Sequence, residues 1–287
     1  MKTAENFAAI TAPTQFVNVN GINFAYRRFG NKIGFPLVHL QHFTGTMENW
    51  DPKVLDNLAK DREVIIFDNK GVAGTNGKTP DTIFEIAKDT IAFIDALELT
   101  KIDLLGYSMG GMVAQQVTLY RPDLINKLIL IGTAPRGGHD IEDFSPEVWA
   151  MFAKEYELPY GLLLETLFTA SGESQMAGHA FLNRIQERVV DRDTEISEFV
   201  APAQSAAITD WARTNPGEFD YLKDIKVPVF ILTGDNDIIF PSVNSSILKD
   251  NLPDAQLIVY PNANHGAQYQ YPELFVKQLN LFLEGVK

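Results

Sequence analysis

The sequence contains no cysteine among its 287 residues. This absence excludes disulfide bonds, thiolate metal sites and a cysteine nucleophile. It is compatible with a reducing compartment, and we predict a cytoplasmic location. Basic residues are also scarce, since 24 Lys and Arg stand against 37 Asp and Glu, a net charge of −13. Because such a surface repels phosphate groups, we expect neither nucleic acid nor an anionic membrane as a partner.

Long apolar runs are missing as well. No segment approaches the roughly 18 apolar residues of a membrane span, and residues 1–14 lack the apolar region of a signal peptide. With 45% hydrophobic residues, the chain can nevertheless bury a large core.

Short apolar segments alternate with segments of helical spacing through residues 36–132. Two alternating runs, 14–20 and 22–28, flank Asn20-Gly21, a pair typical of hairpin turns. Strands are predicted over 36–41, 63–67, 102–105 and 127–132, and helices over 51–60, 82–97 and 111–120. This alternation predicts an α/β fold, with a mostly parallel central sheet flanked by helices.

The pattern changes after Pro135 and returns near residue 220. Helical runs without a clear strand cover 146–157, 160–169, 177–189 and 195–213. Strands 227–233 and 255–260 then alternate with helices 241–252 and 272–283. We therefore predict a core, residues 1–135 and 220–287, and an inserted helical cap, residues 136–219. The alternative is that this middle segment is an ordinary part of the core.

The segment Gly106-Tyr107-Ser108-Met109-Gly110 has the form G-x-S-x-G. It lies between a predicted strand and a predicted helix, which is the context of a nucleophile elbow. In such an elbow a sharp turn exposes the serine oxygen above the sheet, and side chains at the two glycine positions would collide. We predict Ser108 as a nucleophile. A plain glycine-rich turn is the alternative.

A serine nucleophile needs a base to take its proton, and the base needs an orienting carboxylate. Among five histidines, His265 follows the last predicted strand, so it reaches the same sheet edge as Ser108. The loop after strand 227–233 carries two candidate acids, Asp235 and Asp237. Asp235 is a typical turn former. We favour Asp237, because the two isoleucines that follow it could bury it beside the base.

These motifs resemble the α/β-hydrolase fold superfamily. The nearest likeness is to bacterial capped esterases, with further likeness to cofactor-free perhydrolases and meta-cleavage-product hydrolases. The elbow, the acid loop 234–241 and Asn264-His265-Gly266 carry the resemblance, which extends over almost the whole chain. It implies Asp237, the second Asp of its loop, as the acid. Asp68–Thr75 is similar to the family's D-x-R-G-x-G-x-S loop, with Lys70 in the arginine position.

The oxyanion hole of this fold consists of two backbone N–H groups. One is predicted at Met109, directly after the nucleophile, and the other at Phe43, in the loop after strand 36–41. The family's usual His-Gly pair is replaced here by Gln41-His42. This replacement brings His42 close to the pocket, where it contacts the substrate or packs as a structural residue.

The resemblance implies a serine hydrolase that cleaves a small carboxylic ester or related acyl compound and needs no metal or other cofactor. A serine in the elbow argues against epoxide hydrolase and haloalkane dehalogenase activity, which use a carboxylate nucleophile in this fold. Perhydrolysis, lactone hydrolysis and carbon–carbon bond hydrolysis remain alternatives with the same triad, and a non-catalytic ligand receptor is a remote one. The oligomeric state is left open.

Aromatic residues of the predicted cap are candidate pocket walls, with core packing as the alternative: Trp149, Phe152, Phe168, Phe181 and Trp211.

Overall fold

The computed structural model describes residues 8–142, 144–157, 160–213, 217 and 219–285. Its strands are β1 (Gln15–Val19), β2 (Ile22–Gly30), β3 (Leu37–Leu40), β4 (Glu63–Phe67), β5 (Ile102–Tyr107), β6 (Ile125–Ile131), β7 (Val229–Gly234) and β8 (Ala255–Tyr260). Its helices are α1 (Ala8–Thr11), α2 (Pro52–Ala59), α3 (Ile83–Ala96), α4 (Met109–Tyr120), α5 (Pro146–Ala153), α6 (Gly161–Leu167), α7 (Gly172–Ile185), α8 (Val200–Ala212), α9 (Val243–Asn251), α10 (Ala267–Gln270) and α11 (Pro272–Glu284). Within these ranges, no helix combines the length and the apolar character needed to cross a membrane.

The strands form one sheet in the order β1-β2-β4-β3-β5-β6-β7-β8. β2 is antiparallel to both β1 and β4, and every neighbouring pair from β4 to β8 is parallel. The predicted α/β fold with a mostly parallel sheet is therefore confirmed. The carboxyl ends of the parallel strands share one edge, and the loops that follow β3, β5, β7 and β8 meet there.

The first hairpin has the geometry that its sequence predicts. Asn20 and Gly21 both have a left-handed backbone, with φ values of 53° and 88°. Val19 and Ile22 face each other as the closing pair. A two-residue turn of this kind matches the twist of its strands, and asparagine followed by glycine tolerates the positive φ angles.

Alternate residues of the parallel strands enter separate cores on the two faces of the sheet. On β3, Val38 and Leu40 pack into the core that contains the apolar residues of α3 and α4, whereas Leu37 packs into the core that contains those of α2 and α11. β5 divides in the same way, with Leu104 on the first face and Leu105 on the second. Both faces are therefore covered, which explains why these strands have no polar face.

Residues 136–219 contribute α5, α6, α7 and α8, and no strand lies among their described residues. Each helix falls within or beside a run that the sequence predicts as helical. Residues 143, 158, 159, 214–216 and 218 lie outside the described residues, as do residues 1–7 and 286–287. A few residues of the predicted cap, and half of the residues 1–14 on which the predicted absence of a signal peptide rests, lie in this undescribed part. That the segment forms a separate cap stays a prediction.

Buried polar contacts join this helical segment to the rest of the chain. Arg184 of α7 donates to both carboxylate oxygens of Asp51, over 2.8 and 2.6 Å. Asp51 also caps α2 by accepting from the Lys53 N–H, and its side chain has no exposed surface. At a second point, Glu48 pairs with Arg27 and accepts from the backbone N–H of Asp193.

We expect Arg184→Met to lower the free energy of unfolding by about 3–5 kcal/mol, because the buried Asp51 carboxylate loses its charge partner. Arg121→Met is the matched control. Arg121 pairs with half-exposed Asp95 and exposed Asp123, and such surface pairs contribute about 1 kcal/mol or less. Urea unfolding of both variants measures the difference. Equal, small changes would contradict a stabilising role for the Arg184–Asp51 pair.

Candidate active site

Ser108 lies at the turn between β5 and α4, at the centre of the predicted elbow. Its φ and ψ angles are 57° and −123°, a conformation that is strained for any residue with a side chain. Neighbouring groups hold it: the Ser108 N–H donates to the carbonyl of Ile131, and its own carbonyl accepts from the Thr133 hydroxyl over 2.7 Å. The strain is therefore maintained by hydrogen bonds to the loop and strand beside it.

The two glycines of the elbow are required by close approach of backbone to backbone. A Cβ on Gly106 would lie 2.3 Å from the carbonyl oxygen of Gly110. A Cβ on Gly110 would lie 2.4 Å from the carbonyl oxygen of Leu40 at the end of β3. Both distances are shorter than any tolerated contact, so no other residue fits without moving the backbone.

Ser108, His265 and Asp237 form a continuous chain of hydrogen bonds. The Nε2 atom of His265 is 2.9 Å from Ser108 Oγ, and its Nδ1 atom is 2.8 Å from Asp237 Oδ2. The other Asp237 oxygen accepts from the N–H groups of Ile239 and Phe240, at 3.0 and 2.9 Å. All three side chains are buried. The arrangement can move a proton from the serine oxygen onto an imidazole whose orientation the carboxylate fixes.

Asp235, the competing acid candidate, does not reach His265. It is exposed, and its Oδ1 atom accepts from the Ala263 N–H at 3.3 Å and from the Asn236 amide at 2.6 Å. Its own N–H donates to the Tyr260 carbonyl. Asp235 therefore shapes the turn after β7, as its residue type suggests.

Sequence reasoning missed Asn264, which connects the acid loop with the base loop. Its side-chain oxygen accepts from the N–H of Ile238 at 3.0 Å and from the N–H of His265 at 2.9 Å. Its amide nitrogen lies 3.4 Å from the Glu165 carbonyl in α6. Asn264 thus aligns Asp237 and His265. Its position directly before the histidine was the one available signal.

Two aromatic rings enclose the imidazole. Tyr107 lies with its ring centroid 5.2 Å from that of His265 and donates its hydroxyl proton to the His265 carbonyl. Burial raises the pKa of Tyr107, so the phenol remains a donor. Phe240 meets the imidazole nearly edge-on at 5.7 Å. The rings exclude water from the side of the histidine and restrict its rotation.

The predicted oxyanion donors lie on either side of the close contact between Gly110 and Leu40. Met109 is the first residue of α4, so its N–H has no acceptor within the helix, and the Ser108 side chain does not cap it. Phe43 follows β3, and its N–H has no acceptor in the part of the chain that the structure describes. Both N–H groups are therefore available to a ligand.

The loop between β3 and α2 is held from three sides. The Gln41 side chain donates to the Phe67 carbonyl of β4 at 3.0 Å, and the Met47 N–H donates to the buried Asp68 carboxylate at 2.9 Å. Thr44, whose φ is 56°, donates its N–H to the side-chain oxygen of Gln204 in α8 at 2.6 Å. The replacement of His-Gly by Gln41-His42 thus leaves an anchored loop, with Gln41 turned toward the sheet.

A cavity of about 280 Å³ opens above Ser108. Its walls are mostly apolar, and they come from the core loops and from α5, α6 and α8: His42, Phe43, Thr44, Tyr107, Ser108, Phe144, Phe152, Leu162, Leu163, Thr166, Leu167, Ala201, Ile208, Ile239, Phe240 and His265. Residues of α5, α6 and α8 therefore line part of the cavity. Sequence reasoning missed the leucines of α6, because an apolar helix position alone does not show whether its side chain faces a cavity or the core.

Of the aromatic wall candidates, Phe152 lines the cavity, and four others lie elsewhere. Trp149 is half exposed and contacts the outer side of Phe152. Phe168 and Phe181 pack on each other, 5.7 Å apart. Trp211 is fully buried, and its indole N–H points to the Ala134 carbonyl. These four placements correct the expectation that the aromatic side chains would form the wall. Phe168, Phe181 and Trp211 fill the core instead, and Trp149 lies at the surface.

Known proteins resemble this chain over nearly its full length. Residues 36–272 match the family model described as the alpha/beta hydrolase fold. A solved alpha/beta hydrolase fold protein from Chitinophaga pinensis is 43% identical, covers 96% of this chain and 98% of its own, and superposes with a TM-score of 0.90.

Two more distant relatives are named for an activity. A proline iminopeptidase of Pestalotiopsis fici is 26% identical over 94% of this chain and 99% of its own length. Est816, described as an N-acyl homoserine lactone degrading enzyme, is 25% identical, covers 93% of this chain and 100% of its own, and has a TM-score of 0.72. The family model, the 43% identical structure and the topology of the sheet lead to one conclusion: this chain belongs to the α/β-hydrolase fold family.

Proposed function

We propose that this protein is a serine hydrolase that cleaves a carboxylic ester or a related acyl compound through an acyl-enzyme on Ser108. The observation that carries the proposal is the hydrogen-bonded chain from Ser108 Oγ through His265 to Asp237 at the floor of the cavity. A buried serine–imidazole–carboxylate chain is the arrangement that makes a hydroxyl nucleophilic at neutral pH.

The reaction begins when Ser108 Oγ attacks the carbonyl carbon and His265 Nε2 takes the hydroxyl proton. Asp237 holds the imidazole in the tautomer whose Nε2 can accept, and it stabilises the imidazolium that forms. The N–H groups of Met109 and Phe43 donate to the oxyanion, and the positive end of α4 adds to this stabilisation. Collapse of the tetrahedral intermediate breaks the ester bond, and His265 returns its proton to the leaving alcohol.

Water completes the cycle. His265 takes a proton from a water molecule, the hydroxide attacks the acyl carbonyl, and the proton passes to Ser108 Oγ as the acid leaves.

The apolar walls of the cavity favour a modest hydrophobic acyl or alcohol group, since each buried methylene contributes about 0.8 kcal/mol. Lactone opening follows the same steps, except that the leaving alcohol stays attached to the acyl group. The likeness to Est816 favours lactone opening as the second candidate activity.

Ser108→Ala should abolish covalent labelling by a fluorophosphonate and lower kcat on short p-nitrophenyl esters at least about 1,000-fold, because the attacking oxygen is removed. Mass spectrometry of the labelled protein and a spectrophotometric ester assay measure the two effects. Ser246→Ala, at an exposed position of α9, is the control. Activity in the Ser108 variant equal to the parent would contradict the assignment. Labelling of the parent without turnover of any ester would favour the receptor alternative.

Asp237→Asn should lower kcat about 10⁴-fold, because an amide stabilises the wrong tautomer of His265. Asp235→Asn should lower it less than about 10-fold, since an asparagine oxygen can still accept from the Ala263 N–H. Parallel measurement of kcat and of the melting temperature separates a catalytic loss from unfolding. A larger loss at Asp235 would reverse the choice of acid.

Gln204→Met should lower kcat by up to about 100-fold with a smaller change in KM, because the Thr44 N–H loses its acceptor and the adjoining Phe43 N–H shifts. Gln204 does not line the cavity, so we class it as a positioning residue. Steady-state kinetics on one ester and a thermal unfolding curve test this. A folded variant with unchanged kcat would show that the loop keeps its shape without α8.

A further inference from the structure

His42 is a polar side chain at the wall of the cavity that the proposed reaction does not use. It lines the same cavity as Ser108 and His265, and its ring lies 5.4 Å from that of Tyr107. It also directly precedes Phe43, one of the two proposed oxyanion donors. His42 therefore lies close to the proposed position of the reacting carbonyl.

The hydrogen bonding of His42 determines what it offers. Its Nδ1 atom lies 2.8 Å from the Phe43 carbonyl oxygen, and because a carbonyl can only accept, Nδ1 carries the proton. A neutral imidazole with a protonated Nδ1 has a bare lone pair on Nε2. Burial lowers the pKa of His42 to about 4, so the ring is neutral near pH 7.

The Nε2 atom of His42 lies beside Gly45, where an added Cβ would be 3.0 Å away, and it keeps some exposed surface. It makes no hydrogen bond to any residue of the described chain. It is also absent from the unpaired polar atoms that are sealed from solvent, whereas both ring nitrogens of His39 are among them. His39 is a packing histidine, edge-on to Trp50 at 4.8 Å, and His42 differs from it in having an accessible acceptor.

The threonine and tyrosine hydroxyl protons of the cavity wall are all engaged in hydrogen bonds within the protein. Thr44 Oγ1 donates to the Phe43 carbonyl, Thr166 Oγ1 to the Leu162 carbonyl, and Tyr107 to the His265 carbonyl, at 2.7, 2.8 and 3.2 Å. Each of these carbonyls can only accept, so each hydroxyl proton is already committed. Apart from the oxyanion N–H groups and the proton that Ser108 and His265 exchange, the described wall can accept hydrogen bonds but cannot donate them.

The described wall also carries no Lys, Arg, Asp or Glu side chain. An ionised substrate group would lose its hydration there without gaining a counter-charge, which costs several kcal/mol. The chemistry of the wall therefore favours a neutral compound that carries a hydrogen-bond donor.

We propose that His42 Nε2 accepts a hydrogen bond from the substrate, and that the site takes neutral esters or lactones that carry an O–H or N–H donor on the carbon next to the reacting carbonyl. This inference rests on the proposed serine hydrolase function and adds the substrate class to it. An analogue without the donor leaves Nε2 desolvated and unpaired, which is how a hydrogen-bonding site discriminates.

The test compares phenyl 2-hydroxyhexanoate with phenyl 2-methoxyhexanoate, through phenol release. Each kcat/KM is divided by the rate of hydroxide-catalysed hydrolysis, so that intrinsic reactivity cancels. We expect the parent protein to prefer the hydroxy ester at least about 10-fold, the size of one net hydrogen bond. The ratio does not depend on how far a variant changes the overall rate.

Two variants remove the acceptor in different ways, and both should bring the ratio to about 1. His42→Phe keeps the ring volume, and the Phe43 carbonyl retains its bond from Thr44. His42→Asn places an amide N–H where Nδ1 lies and has nothing at the Nε2 position. His179→Phe, at an exposed position of α7, is the control and should keep the parent ratio.

The outcomes separate the two proposals. A parent ratio near 1, or a parent ratio that persists in both folded His42 variants, overturns the role of His42 while ester hydrolysis stands. Equal rates for phenyl hexanoate and the anionic monophenyl ester of adipic acid would overturn the selection of neutral substrates. A parent protein that hydrolyses none of these esters and takes up no fluorophosphonate on Ser108 overturns the serine hydrolase proposal, and the role of His42 with it.

Discussion

The contact of Gly110 with the carbonyl oxygens of Leu40 and Gln41 is the constraint on which the rest of the site depends. Only a residue without a Cβ lets the first turn of α4 approach the end of β3 this closely. The strained backbone of Ser108 lies beside this approach, and its hydrogen bonds with Ile131 and Thr133 hold it in place. The approach also brings the free N–H groups at the start of α4 beside the loop that carries Phe43.

That loop is where the helical segment and the sheet meet. Arg184 reaches the Asp51 carboxylate, and Gln204 reaches the Thr44 N–H. The segment that lines part of the cavity thus also orients the loop on which a proposed oxyanion donor and His42 lie. Removing one partner of such a buried ion pair is costly, because the other charge stays buried without a counter-charge. A change in these helices would therefore alter the positions of Phe43 and His42 as well as the shape of the cavity.

Patterns of short range predicted most of the fold. The hairpin at Asn20-Gly21 and the alternation of strands and helices follow from backbone preferences and from which faces can be buried. Element ends were less accurate: β6 begins at Ile125, two residues before the predicted strand, and the short α10 was not predicted. At β6 the polar Asn126 interrupts the apolar pattern, and its side chain bonds to Asp103 of β5.

The sequence by itself determined that Ser108, Asp237 and His265 meet, because a parallel sheet brings the ends of its strands to one edge whatever the detail of packing. It also determined the elbow, whose glycines are a local steric requirement. Only the tertiary structure decided which side chains face the cavity, that Asn264 joins two loops, and that His42 keeps an open Nε2 while His39 is sealed. These features depend on contacts between residues far apart in the chain. Neither the type of a residue nor its spacing shows which distant residue its side chain will contact.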